Sequence, residues 1–181
     1  MREANKVRRQ KGFTLIETMI ALMILMGGIL SLAAMLTDAV VYMQGSQDDF
    51  LAQQMAQQAM EAIFTAKYTS SISFAQIANT TSTPPGIFLP TPQPILQPGT
   101  DGLFGTSTDL TAPAAYIINP GPDGLMGTSD DINIPLGNFT RTITITPTSD
   151  SNLTSVTITV NYTTGRFTRR YAMTSYVSAF N

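Results

Sequence analysis

The chain has 181 residues, enough for one domain beside an anchor, and it contains neither cysteine nor histidine. That excludes a disulfide framework, a thiol nucleophile, and the side chain most used as general base or transition-metal ligand. Ten basic against twelve acidic residues give a net charge of −2, which excludes a broadly basic nucleic-acid surface.

The N-terminus sets the first element. Arg2, Lys6, Arg8, Arg9 and Lys11 face the single acid Glu3, and residues 18–36 then run without a charge. Nineteen apolar residues approach the ~20 that cross a bilayer as a helix, and the basic flank predicts a cytoplasmic N-terminal end. A secretory signal would be shorter and would end in a small-residue cleavage site, which does not follow here. A plain uncleaved anchor is the simple alternative, and Glu17 argues against it. A carboxylate at membrane depth costs up to ~2.5–3.5 kcal/mol, so it usually has a partner or a function. No basic residue stands at helical spacing on its C-terminal side.

Lys11-Gly-Phe-Thr-Leu-Ile-Glu17 resembles the type III signal of type IV prepilins and pseudopilins. The following Ala21-Leu-Met-Ile-Leu-Met-Gly-Gly-Ile-Leu-Ser-Leu-Ala-Ala34 is similar to the PilV-type minor pilins and the type II secretion pseudopilin I group, although a Gly27-Gly28 pair replaces their more usual single glycine. The resemblance implies cleavage after Gly12 by a membrane prepilin peptidase and N-methylation of the new first residue, Phe13. It also implies that Glu17 meets the N-terminal amine of a neighbouring subunit. Loss of residues 1–12 would leave five basic against eleven acidic residues, about −6 before the new amine is counted. The missing cysteine departs from the many pilins that close a C-terminal loop with a disulfide.

Asp38 ends the apolar run and Tyr42 suits the far membrane interface. From Gln47 the pattern turns amphipathic. Leu51, Met55, Ala59 and Ile63 form one row, Ala52, Ala56, Met60 and Phe64 the next, with Asp48, Asp49, four glutamines and Glu61 largely opposite. One helix is predicted from residue 13 to about 67, with Gly27-Gly28 and Gly45 as places for a bend.

Residues 69–138 read as a loop-rich insertion. Ten of the eleven prolines lie between Pro84 and Pro135, which excludes a regular helix or a central strand. Ile87-Phe-Leu89 and Tyr116-Ile-Ile118 are the candidates for short strands, and residues 84–98 are expected to be the mobile piece. Within the insertion a twelve-residue unit occurs twice, at 98–109 and 120–131, with a constant offset of 22 residues. The two copies hold Asp101, Asp109, Asp123, Asp130 and Asp131. Carboxylates on Gly-rich loops with nearby hydroxyls and carbonyls suit a hard, oxygen-preferring cation, so a calcium site is expected, one per copy or shared. The other reading is a pair of Asp-Gly turns with solvated acids.

After Asn138 the period becomes two. Phe139, Arg141, Ile143 and Ile145 alternate with threonines, and strands of the same kind follow over about 155–162 and 167–174, with Gly165 at the last turn. Arg169-Arg170 is read as a solvated strand end, or else as a contact to an acidic neighbour. The Asn-x-Thr sequons at Asn79, Asn138, Asn152 and Asn161 carry little weight in so Thr-rich a chain.

The expected fold is α+β: a long N-terminal helix, with a transmembrane half and an amphipathic half, packed on a small antiparallel β-sheet. The expected domains are a leader at 1–12, an assembly helix at 13–41 and an extracytoplasmic domain at 42–181. The function expected from the resemblance is that of a structural subunit of a type IV pilus or type II secretion filament, not an enzyme. Its partners would be other pilin or pseudopilin subunits, the prepilin peptidase, the inner-membrane assembly platform and, before assembly, membrane lipid. It would start as a single-pass inner-membrane protein and end in a surface or periplasmic filament. The alternative is a membrane-anchored ligand-binding module.

Overall fold

The structure is a computed structural model and describes residues 12–180. Of the predicted leader, all but Gly12 lies outside the described residues. Contacts divide the chain between Met43 and Gln44 into two compact units.

Helix α1, Leu15–Tyr68, runs unbroken for 54 residues, through Gly27, Gly28 and Gly45 alike. Both its ends are written in the sequence. Thr14 and Glu17 form a reciprocal cap: the Glu17 amide donates to Thr14 Oγ1 at 3.4 Å, and the Thr14 amide donates to Glu17 Oε2 at 3.5 Å. At the other end Ser70 takes a left-handed conformation with φ 58°. The Ser71 amide then donates to the Ala66 carbonyl at 2.9 Å and the Ser70 amide to the Lys67 carbonyl at 3.1 Å. That is a Schellman stop with serine where glycine is usual.

In the second unit the apolar stripe of α1 is buried as the periodicity predicts. Ala52, Met55, Ala56, Ala59, Met60, Ile63 and Ala66 enter the core, while Phe64 stays partly exposed. They belong to one apolar cluster with the inward residues of β4 (Phe139–Pro147), β5 (Leu153–Thr164) and β6 (Phe167–Ser178). These strands are antiparallel neighbours, and their order is completed by β1, Gln93–Pro94, at the β4 edge. The register Phe139↔Tyr162, Ile143↔Ile158, Ile145↔Val156 places apolar against apolar across the pair. One inward position is not apolar: Arg141 is buried.

The insertion is part of this core. Phe88 is fully buried and Ile72, Ile77, Ile95, Leu103, Phe104 and Leu136 join the same cluster. The expectation of a mobile piece at 84–98 is corrected: Phe88 fills the interior, and Gln93 and Pro94 pair with Arg141 and Thr140. Proline is tolerated there because the strand is an edge. Where β1 ends, Asn79 stands in for a strand. Its Nδ2 donates to the Ile143 carbonyl at 2.9 Å and the Phe88 carbonyl at 3.2 Å, and its Oδ1 accepts the Ile145 amide at 2.8 Å. A carboxamide carries one acceptor and two donors, the set needed to extend a ladder edge. Its sequon therefore lies over a buried amide. Asn79→Ala is expected to cost about 2 kcal/mol by leaving main-chain groups of β4 unpaired, measured by urea unfolding.

A separate two-stranded ribbon, β2 (Tyr116–Asn119) with β3 (Ile132–Pro135), carries the second repeat copy between its strands. Only β2 was foreseen, because Ile132-Asn-Ile-Pro135 is too short and too close to proline to read as a strand on its own.

Candidate functional site

The first candidate region is the N-terminal part of α1. Every residue from Gly12 to Val40 is exposed, so Leu, Ile and Met side chains form an uncovered apolar surface all round. Among the described residues α1 is the one helix long and apolar enough to cross a membrane, by length and composition. Its few hydroxyls are satisfied within the helix. Thr18 donates to the Leu15 carbonyl at 2.8 Å, Ser31 to Gly28 at 2.8 Å and Thr37 to Ala33 at 3.0 Å, which removes the cost of bare polar groups in hydrocarbon. Glu17 sits one turn into this surface. The reciprocal cap with Thr14 was missed in the sequence reading, although Thr-x-x-Glu ahead of an apolar run is its signature. Both bonds are long, and the Glu17 carboxylate remains exposed. Gly12 and Phe13 lie outside the helix and are exposed, immediately ahead of the cap.

A polar seam joins the amphipathic half of α1 to the sheet. Arg169 is not a free strand end: its Nη1 lies 3.0 Å from Asp49 Oδ2, and its guanidinium rests against Gly45, where a Cβ would touch it at 3.4 Å. Tyr162 donates its hydroxyl to Asp49, and Thr164 donates to Asp48 at 2.5 Å. Burial, and then the hydrogen bond to Asp49, push the Tyr162 phenol up to about 12. This seam fixes strand to helix. The expectation of a solvated strand end is thus corrected for Arg169, whose acidic partner Asp49 lies in its own chain; the other expectation was a contact to an acidic neighbour subunit.

The two repeat copies share one local fold. Leu103 and Leu125 each donate an amide to the aspartate two residues back, at 3.0 and 2.8 Å. Gly105 and Gly127 each donate to the closing aspartate, Asp109 or Asp131, at 2.5 and 2.7 Å. Glycines 102, 105, 124 and 127 all have φ between 70° and 86°, a region that excludes most other residues. A threonine hydroxyl at the same place bonds the first aspartate, Thr106 to Asp101 at 2.8 Å and Thr128 to Asp123 at 3.5 Å.

These bonds take up the carboxylates expected to hold calcium. Asp109 is buried and accepts the Gly99 and Gly105 amides. Burial pushes its carboxyl up; the amides and, further off, Arg141 pull it down. Asp101 accepts from Leu103 and Thr106. Asp123, Asp130 and Asp131 lie around the Thr128 hydroxyl, and that hydroxyl holds Asp130 below the usual carboxylate range. Among the described residues no three acidic side chains form a group able to hold a metal ion. The geometry is that of Asp-closed turns, each acid meeting donors of its own loop. A melting titration with calcium against a chelator decides between the two readings: an upward shift with calcium is the result expected of an ion site, and an unmoved transition that of plain Asp-Gly turns.

Comparison with known proteins gives one match. Residues 7–35 match the family model described as the prokaryotic N-terminal methylation motif. No curated protein and no solved structure matches the chain. The matched residues contain Gly12, Phe13 and Glu17 and the first turns of the exposed apolar helix, and they join a helix packed on an antiparallel sheet. This chain therefore carries a type IV pilin-like signal on a pilin-like α+β architecture.

Proposed function

We propose that the protein is a structural subunit of a type IV pilus or type II secretion filament, a minor pilin or pseudopilin. One observation carries the reading: an uncovered apolar helix begins two residues after the Gly12-Phe13 bond, within a match to the N-terminal methylation motif. Cleavage removes five basic residues that hold the end at the cytoplasmic face. The helix is then free to exchange lipid for equivalent apolar contacts with other such helices, so the transfer has little net cost. In the assembled state Glu17 pairs with the N-terminal amine of a neighbour, a partner for a carboxylate otherwise set in hydrocarbon.

The cleft lined by Asp49, Phe50, Tyr162, Arg170 and Tyr171 is open, and its Asp49 and Tyr162 belong to the seam. Mass spectrometry of protein from its native host is expected to give a mature chain starting at methylated Phe13, present in sheared filaments or in the secretion apparatus. Residues 1–12 retained on the mature protein would overturn the proposal and favour a fixed anchor bearing a binding module.

A further inference from the structure

We propose that the second repeat copy, residues 120–131, is a docking plug. It seats Leu125 and Met126 in an apolar cleft that carries an arginine or lysine on a neighbouring filament subunit. The inference rests on the filament reading above and names one contact within it.

The internal twin supplies the argument. Both copies close the same turns with the same amide-to-aspartate bonds. In the first copy the apolar pair of that turn is Leu103 and Phe104, exposed by only 1% and 5%, inside the domain core. The equivalent pair in the second copy, Leu125 and Met126, is 62% exposed at both positions. One motif is thus seen docked and undocked in the same chain. The ribbon that carries the second copy packs Ile117 against the core but leaves Ile118, Ile132 and Ile134 exposed. Adjacent exposed apolar side chains on a defined turn mark an interaction site better than scattered ones do.

The docked copy also shows what the receiving surface offers. Beneath the first copy the guanidinium of Arg141 lies 4.3 Å from the Phe104 ring centroid and attracts Asp109. The second copy keeps that acid as Asp131 and adds Asp130 in place of Thr108. A plug with apolar tips and carboxylates behind them fits an apolar cleft with a cation at its wall, as in its twin. Methionine in place of phenylalanine suits a cleft of another shape, because its thioether side chain adapts.

The test uses the full chain in its native host. Leu125→Ser/Met126→Ser is expected to leave Gly12 cleavage, membrane level and melting unchanged, since both residues are exposed. Its amount in sheared filaments should fall by about tenfold, as for loss of a central anchor. Leu103→Ser/Phe104→Ser, by contrast, should fail at folding. A photoreactive benzoylphenylalanine at position 126 should form adducts with a mature filament subunit beside an arginine or lysine, whereas the same probe at Thr144 should not. Wild-type filament content of the serine variant would overturn the proposal while leaving the filament reading intact. So would adducts only to lipid or to proteins outside the filament. If the wild-type chain is itself missing from filaments, the filament reading falls, and this one with it.

Discussion

Glu17→Gln is expected to insert in the membrane and lose its leader as the wild type does, yet to be reduced to near background in filaments. The choice of glutamine separates the cap that the structure shows from the assembly role proposed for the same side chain. Glutamine at the third helical position still closes a capping box with Thr14, so the start of α1 should persist. What it removes is the charge. In hydrocarbon that charge is costly, and insertion should improve slightly without it. On the filament reading proposed above, the same charge gains a cationic partner in the neighbouring subunit, and its loss would remove the interaction that sets one subunit against the next. Glu17→Ala removes both cap and charge; if the two variants fail equally, the charge is the cause. Filament content measured by immunoblot of sheared material, against leader cleavage read by mass, decides it. Normal incorporation of the glutamine variant would leave Glu17 with the capping role seen here and no other.

Arg141→Met is expected to be the most destabilising single change in the sheet, at about 3 kcal/mol. Arg141 is buried among apolar residues on the inward face of β4. Its guanidinium lies over Phe104, and Nη1 points to the Met55 carbonyl at 3.5 Å. Burial lowers its value to about 10, and attraction to Asp109 opposes that shift. A cost of about 3 kcal/mol is at the upper end for a point change and follows here from disturbing a buried polar group: the contact over Phe104 and the bond to the Met55 carbonyl are lost. Asp109 loses a more distant attraction but retains two amide donors.

The pH dependence has a definite sign. Asp109 is raised above its unfolded value, chiefly by burial, so the folded state binds that proton more tightly. Its ionisation therefore costs stability as pH rises from the ordinary aspartate value through the raised one. Without Arg141 the raising is larger, and Arg141→Met should lose more stability between acid and neutral pH than the wild type does. Urea unfolding at both conditions measures this. An equal loss at the two would mean that Arg141 acts by packing alone.

The first and last parts of this chain were legible because their physics is local. Charge, then nineteen uncharged residues, then a narrow apolar stripe dictate one helix whatever it packs against, and the methylation motif lies wholly within that stretch. Alternation after Asn138 dictates strands, and even the inward Arg141 stood in its correct row. In the middle only the stretch 84–98 is read as mobile against the structure, because proline and glycine density reports what a segment cannot form by itself. Asn79 and Gln93–Pro94 are held by groups more than forty residues away on β4, and no window of sequence shows such a partner. The repeat makes the same point. Two copies of one motif, closed by the same amide-to-aspartate bonds, end in different surroundings: Leu103 and Phe104 are buried, Phe104 under Arg141, and Leu125 and Met126 face solvent. The sequence by itself determined the turn and its acids. Only the tertiary structure decided which copy fills the core, because burial depends on where the rest of the chain places its apolar faces.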